Sequence, residues 1–150
     1  MNQATLPAVV IRRTFEASPD RVFAAWTGKE FAAMLCPEDV KLQDLKMDVR
    51  PGGSYKMDLL MPDGEVWTLH GNYREVTPPR RLAMTWSWIE DDPKDVQETL
   101  LTIELTPEGS GTALELRHEL FLREESRASH EQGWAEGLDK LAAMLSATST

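Results

Sequence analysis

Residues 54–88 read SYKMDLLMPDGEVWTLHGNYREVTPPRRLAMTWSW. Their hydropathy alternates with a period of two. Tyr55, Met57, Leu59 and Met61 alternate with Ser54, Lys56 and Asp58. Trp67, Leu69, Gly71 and Tyr73 fall on one face of the next segment, and Leu82, Met84, Trp86 and Trp88 on one face of the third. Successive side chains of a strand point to opposite faces, so each segment is predicted to be a strand with one buried face. Pro62-Asp63-Gly64 and Pro78-Pro79 punctuate them as turns. Strands joined this closely pair as antiparallel hairpins.

The pattern extends in both directions. Upstream, Leu45, Met47 and Val49 alternate with Asp44, Lys46 and Asp48 before a Pro51-Gly52-Gly53 turn. Downstream, Asp91-Asp92-Pro93 is read as a loop. Leu101, Ile103 and Leu105 share a face, as do Leu114, Leu116, His118 and Leu120, with a turn over Pro107 to Gly111. At the beginning, Val9 to Glu16 reads as a strand. Ser18-Pro19-Asp20 reads as a helix start: Ser18 caps, Pro19 suits the first turn and Asp20 favours the positive helix end. Gly28 breaks that helix, and Lys29 to Leu35 forms a second short one ended by Pro37. From about Glu125 to Leu145 the period becomes helical, with Trp134, Leu138, Leu141 and Leu145 at i, i+4, i+7 and i+11. Strands segregated from helices argue an α+β fold. The architecture expected is a curved seven-stranded antiparallel sheet wrapped around a long C-terminal helix, with two short helices after strand one.

Composition narrows the function classes. The chain has 150 residues, with 16 basic against 25 acidic and a formal charge of −9. A nucleic-acid binder needs a basic patch, and so does a protein docking on anionic lipid. Neither nucleic acid nor membrane is therefore expected as a partner. No apolar run approaches the ~18 residues of a membrane span, and the N-terminus lacks a basic leader before an apolar stretch. A cytoplasmic location is the expectation. The single cysteine, Cys36, excludes an internal disulfide and a multi-cysteine zinc site.

Four stretches resemble a known family. They are Ser18-Pro19-Asp20-Arg21-Val22-Phe23 with Ala25-Trp26-Thr27; Arg50-Pro51-Gly52-Gly53-Ser54-Tyr55 followed by Asp63-Gly64; Gly71 to Leu82 running into Thr85-Trp86; and Gly111-Thr112, His118, His130 and Gly133-Trp134 with Leu138 and Leu141. In that order they resemble the START-like, or SRPBCC, superfamily with the helix-grip fold. The nearest branch is the one named for homologues of the activator of the heat-shock-protein-90 ATPase. The resemblance covers about residues 8–145, read as one domain. One departure is Ala33-Met34-Leu35-Cys36-Pro37, where family members often carry a tryptophan-rich run. The resemblance implies a cavity between sheet and C-terminal helix that holds a small, mostly hydrophobic ligand. Fold alone does not choose among cyclases, hydrolases and carriers.

Trp67, Trp86, Trp88 and Trp134 are expected to face inward, with Trp26 beside them on the first helix. Large aromatics with a polar N–H suit a pocket that grips an apolar body. Met57, Tyr73, His118 and Leu138 complete the expected ligand-binding set. His118 has the residue type for acid–base work, but no serine or cysteine nucleophile sits on a recognisable motif near it, so no catalytic residue is assigned. His130 shares a helix face with Trp134 and is expected to cap the helix or bond to the sheet. His70 alternates outward. No His or Cys spacing supports a metal site, and Gly52-Gly53 lacks the lysine of a phosphate loop. Glu90, Asp91 and Asp92 read as a solvated loop, and Cys36 as a small semi-buried apolar side chain. No cofactor is expected. The reading is a binder of an unidentified small hydrophobic molecule. Its alternatives are a cyclase- or hydrolase-like enzyme using His118, and a chaperone-cofactor type of interaction module. A homodimer is compatible with all three.

Overall fold

The alternating segments pair into one antiparallel sheet in a computed structural model that describes residues 6–36, 39–88 and 98–148. The strands are β1 (Val9–Phe15), β2 (Lys41–Met47), β3 (Ser54–Leu60), β4 (Val66–Thr77), β5 (Arg81–Trp88), β6 (Thr99–Glu108) and β7 (Gly111–Glu119). The helices are α1 (Pro19–Trp26), α2 (Lys29–Met34) and α3 (Glu124–Thr148). The strand order is β1-β7-β6-β5-β4-β3-β2, so the chain crosses once, from β1 to the far edge, and then meanders back. The Glu90 to Pro93 segment and Pro37 lie outside the described residues.

That crossing is made by α1 and α2. The Ser18 hydroxyl accepts from the Arg21 amide at 3.2 Å, and Pro19 opens α1, as the sequence requires. Gly28 separates the helices. Their apolar faces bury Val22, Phe23, Trp26, Phe31 and Met34 against the sheet and α3.

The sheet curves because β4 carries a register shift between Tyr73 and Glu75 against β5. An extra residue on one strand bends it and raises the local twist. Gly71 sits just before this point. A Cβ there would lie 2.1 Å from the Thr85 carbonyl oxygen, so only glycine lets β5 approach so closely. The same carbonyl accepts from the buried Tyr55 hydroxyl at 2.5 Å, and the Thr85 hydroxyl accepts from the Asn72 amide at 2.8 Å. Three strands are thereby tied at one point of the concave face.

The stripe Trp134, Leu138, Leu141 and Leu145 of α3 is buried in that concavity. α2 reaches α3 where Gly137 leaves room: a Cβ at 137 would meet the Met34 carbonyl at 3.2 Å. One alternation ends early. The sequence places Leu120 inward after His118, but β7 stops at Glu119 and Leu120 turns at φ 78°, exposed. The turn delivers Phe121 to the interior instead, with its ring centroid 4.5 Å from that of His118.

Candidate functional site

The interior between α3 and the concave face is not filled throughout. Around Trp26, Phe31, Tyr55, Met57, Tyr73 and Leu138 it is solid, with edge-on and tilted ring contacts such as Phe31 to Tyr55 at 6.4 Å. Toward the start of β4, the end of β5 and the first half of α3 it opens into a cavity of about 750 Å³. Its wall holds Trp67 from β4, Trp86 and Trp88 from β5, and Ser126, Ser129, His130, Gly133 and Trp134 from α3. Met34 and Leu35 close the side by α2, and Glu65, Val66, Glu136, Gly137 and Lys140 complete the lining.

Of the nine residues expected from the sequence, Trp67, Trp86, Trp88 and Trp134 stand on this wall. Trp67 is 50% exposed at the mouth, whereas Trp86 and Trp134 are each 2% exposed. Trp26, Met57, Tyr73 and Leu138 belong to the solid part and do not line the cavity. His118 lies directly behind the wall, its ring 5.4 Å from Trp86 and 6.1 Å from Trp134. His130, Gly133, Glu65, Glu136 and Lys140 are lining residues that the sequence reading did not select. For His130 a signal existed, since it lies one helical turn before Trp134.

The indoles form a row. Trp67 and Trp88 are 6.1 Å apart at 76°, Trp88 and Trp86 6.2 Å apart at 83°, and Trp86 and Trp134 5.0 Å apart at 54°. Three of their N–H groups are bonded to protein acceptors. Trp67 donates to Glu65 Oε2 at 3.2 Å, Trp88 to His130 Nε2 at 3.2 Å, and Trp134 to His118 Nδ1 at 3.0 Å. The Trp86 N–H is buried with no hydrogen-bond partner among the described residues, and so is the Tyr73 hydroxyl.

These bonds fix both histidines. An imidazole nitrogen that accepts carries no proton, so His118 bears its hydrogen on Nε2. That N–H donates to the Thr99 hydroxyl at 2.7 Å, which in turn donates to the Trp86 carbonyl at 3.0 Å. His130 is the opposite tautomer: Nε2 accepts from Trp88, and Nδ1–H donates to the Ser126 carbonyl at 2.7 Å. Burial pushes the pKa of His118 well below the usual histidine value, and the neighbouring His130 lowers it further. Burial likewise lowers that of His130, against a smaller opposing effect of the Ser126 carbonyl. Each ring nitrogen already has a protein partner, so neither imidazole has a free position for proton transfer to a substrate.

Cys36 is buried, and burial raises its thiol pKa, with Lys140 opposing more weakly. That is the reverse of what a nucleophilic thiol requires. Among the described residues no group of three or more His, Cys, Asp and Glu side chains is placed to hold a metal ion. No helix among them is long and apolar enough to cross a membrane.

Comparison with known proteins agrees with this fold. Residues 16–146 match the family described as Activator of Hsp90 ATPase homolog 1-like protein. The fold is similar to that of protein CV1439 from Chromobacterium violaceum, with a TM-score of 0.82 and 29% identity over 92% of this chain and 96% of that one. It is similar to an AHSA1 protein from Silicibacter pomeroyi, with a TM-score of 0.79 and 26% identity over 93% and 97% of the two chains. It is also similar to CalU16 from Micromonospora echinospora, with a TM-score of 0.69 and 27% identity over 93% and 76%. No curated protein matches the chain.

Proposed function

The chain belongs to the Activator of Hsp90 ATPase homolog 1-like family, a ligand-binding kind of fold, and from that premise we propose that it binds a small, mostly apolar molecule between α3 and the sheet. The observation that carries this reading is the cavity of about 750 Å³ walled by four indoles. That volume is in the range of small-molecule sites, about 300–1,000 Å³. The cavity is a cleft that a ligand can enter: Glu65, Val66, Trp67, Glu136 and Lys140 of its lining are exposed, while Trp86 and Trp134 are buried. Trp67, Trp86, Trp88 and Trp134 form the gripping wall, and no catalytic residue is assigned.

Gly133 supplies the experiment. A Cβ at this position would meet nothing within 4 Å, and the residue lies on the cavity wall. Gly133→Leu adds a side chain where the ligand would sit and replaces a weak helix former with a strong one. Native mass spectrometry of the freshly purified protein is expected to detect a molecule bound one per chain, and the Gly133→Leu variant is expected to lose it while unfolding no earlier. Equal retention by a stable Gly133→Leu variant places the ligand elsewhere.

A further inference from the structure

We propose that the molecule this cavity selects is an organic cation, a tertiary or quaternary ammonium carried on an apolar body; this rests on the binding function proposed above. The cavity mouth carries the inference, where the half-exposed indole of Trp67 stands beside Glu65. An indole is positive at its N–H edge and negative on its faces. The edges of Trp67, Trp88 and Trp134 are taken up by Glu65, His130 and His118, and the N–H of Trp86 is buried. Trp86 and Trp134 are each 2% exposed and covered by their neighbours, so the row meets a ligand chiefly through Trp67, 50% exposed, and the half-buried Trp88, whose bonded N–H edges leave their faces for contact. Trp67 and Trp88 stand at 76° to one another, so a compact group set against both meets indole surface in two planes. Tryptophan faces in that arrangement favour a cation.

The charged groups on the wall point the same way. They are two carboxylates, Glu65 and Glu136, and one ammonium, Lys140. Lys140 donates to the Cys36 carbonyl. Among the described residues neither glutamate forms an ion pair. Glu65 accepts from Trp67, and Glu136 has a long bond of 3.5 Å from Gln132. The two histidines nearby are held neutral by their tryptophan donors. The cavity thus presents negative charge within a chain of formal charge −9, which draws cations in and repels anions.

The test is calorimetric titration with three probes built on one biphenyl body. These are (4-phenylbenzyl)trimethylammonium, its uncharged carbon isostere, and 4-biphenylacetate. The cation is expected to bind at least tenfold tighter than the isostere, and the acetate weakest of the three. Glu65→Gln and Glu136→Gln, both at exposed positions, are each expected to weaken the cation several-fold and to change the isostere far less. If the isostere binds as tightly as the cation, or the acetate binds best, the charge preference is overturned and the cavity reading stands. If none of the three binds, the inference is overturned, and the cavity reading is decided separately by the native mass spectrum and the Gly133→Leu variant.

Discussion

The indole nitrogen of Trp134 donates to Nδ1 of His118 across 3.0 Å, and the direction of that bond decides the charge of a fully buried imidazole. A protonated ring would present a hydrogen to a hydrogen. The same holds for Trp88 and His130. Each histidine stays neutral in the folded chain, while in the unfolded chain each takes up a proton near the ordinary value of ~6.5. The unfolded state then binds more protons at low pH. Stability is thus fully present above that value and lost as pH falls below it, toward the lowered folded values. For His118, lowered the more strongly, the slope reaches about 1.4 kcal/mol per pH unit, and His130 adds a smaller part. Urea unfolding at pH 7.5 and 5.5 checks it: His130→Gln is expected to lose the smaller part of this dependence and to keep the larger, and an equal wild-type midpoint at both values would contradict the assignment.

The two buried tyrosines are expected to respond oppositely to loss of a hydroxyl. Tyr55 donates to the Thr85 carbonyl, while the Tyr73 hydroxyl has no partner among the described residues. Tyr55→Phe is expected to cost about 1–2 kcal/mol, and Tyr73→Phe to be neutral or slightly stabilising. Denaturant midpoints measure both. A loss at Tyr73 equal to that at Tyr55 would mean the Tyr73 hydroxyl has an acceptor after all.

Two glycines form a similar contrast. Gly71→Ala drives a Cβ into the Thr85 backbone and is expected to cost about 3 kcal/mol or more, or to prevent folding. Gly133→Ala enters open space within α3 and is expected to stabilise by about 1 kcal/mol. Thermal melts of the pair decide it, and a destabilised Gly133→Ala would show that α3 needs that glycine for another reason.

Trp67 and Trp134 line the same cavity but differ in what surrounds them. Trp67→Ala, at a half-exposed ring, is expected to cost under about 1 kcal/mol while reducing probe affinity at least fivefold. Trp134→Ala is expected to cost about 3–5 kcal/mol, because its ring packs on Trp26 and Trp86. Affinity and stability measured side by side separate the two roles. A large stability loss at Trp67 would count against its place at the mouth.

The fold was legible because period two and period 3.6 divide the chain cleanly, and because Ser18, Gly28 and the Pro-Gly turns mark its corners. Alternation also put Trp67, Trp86 and Trp88 on the right face. It does not report how far along a strand the helix stops covering that face. Met57 and Tyr73 therefore looked equivalent to Trp67, yet they lie under the solid part. Glu65 and Glu136 escaped notice because a carboxylate at an outward position reads as solvated surface. The Leu120 turn was hidden because a φ of 78° has no marker when the residue is leucine. The tautomers of His118 and His130 depend on contacts between β7, β5 and α3, which no local pattern encodes.

The solid half of the interior, around Trp26, Phe31, Tyr55 and Leu138, borders a hollow half without sharing most of its residues. Natural selection can therefore act on the two halves separately. Under the proposed binding role, changes at Trp67, Glu65, Gly133 or Glu136 would alter what is held while leaving intact the contacts that make the chain fold. Kinship read from the solid half would then be no guide to the molecule carried in the other.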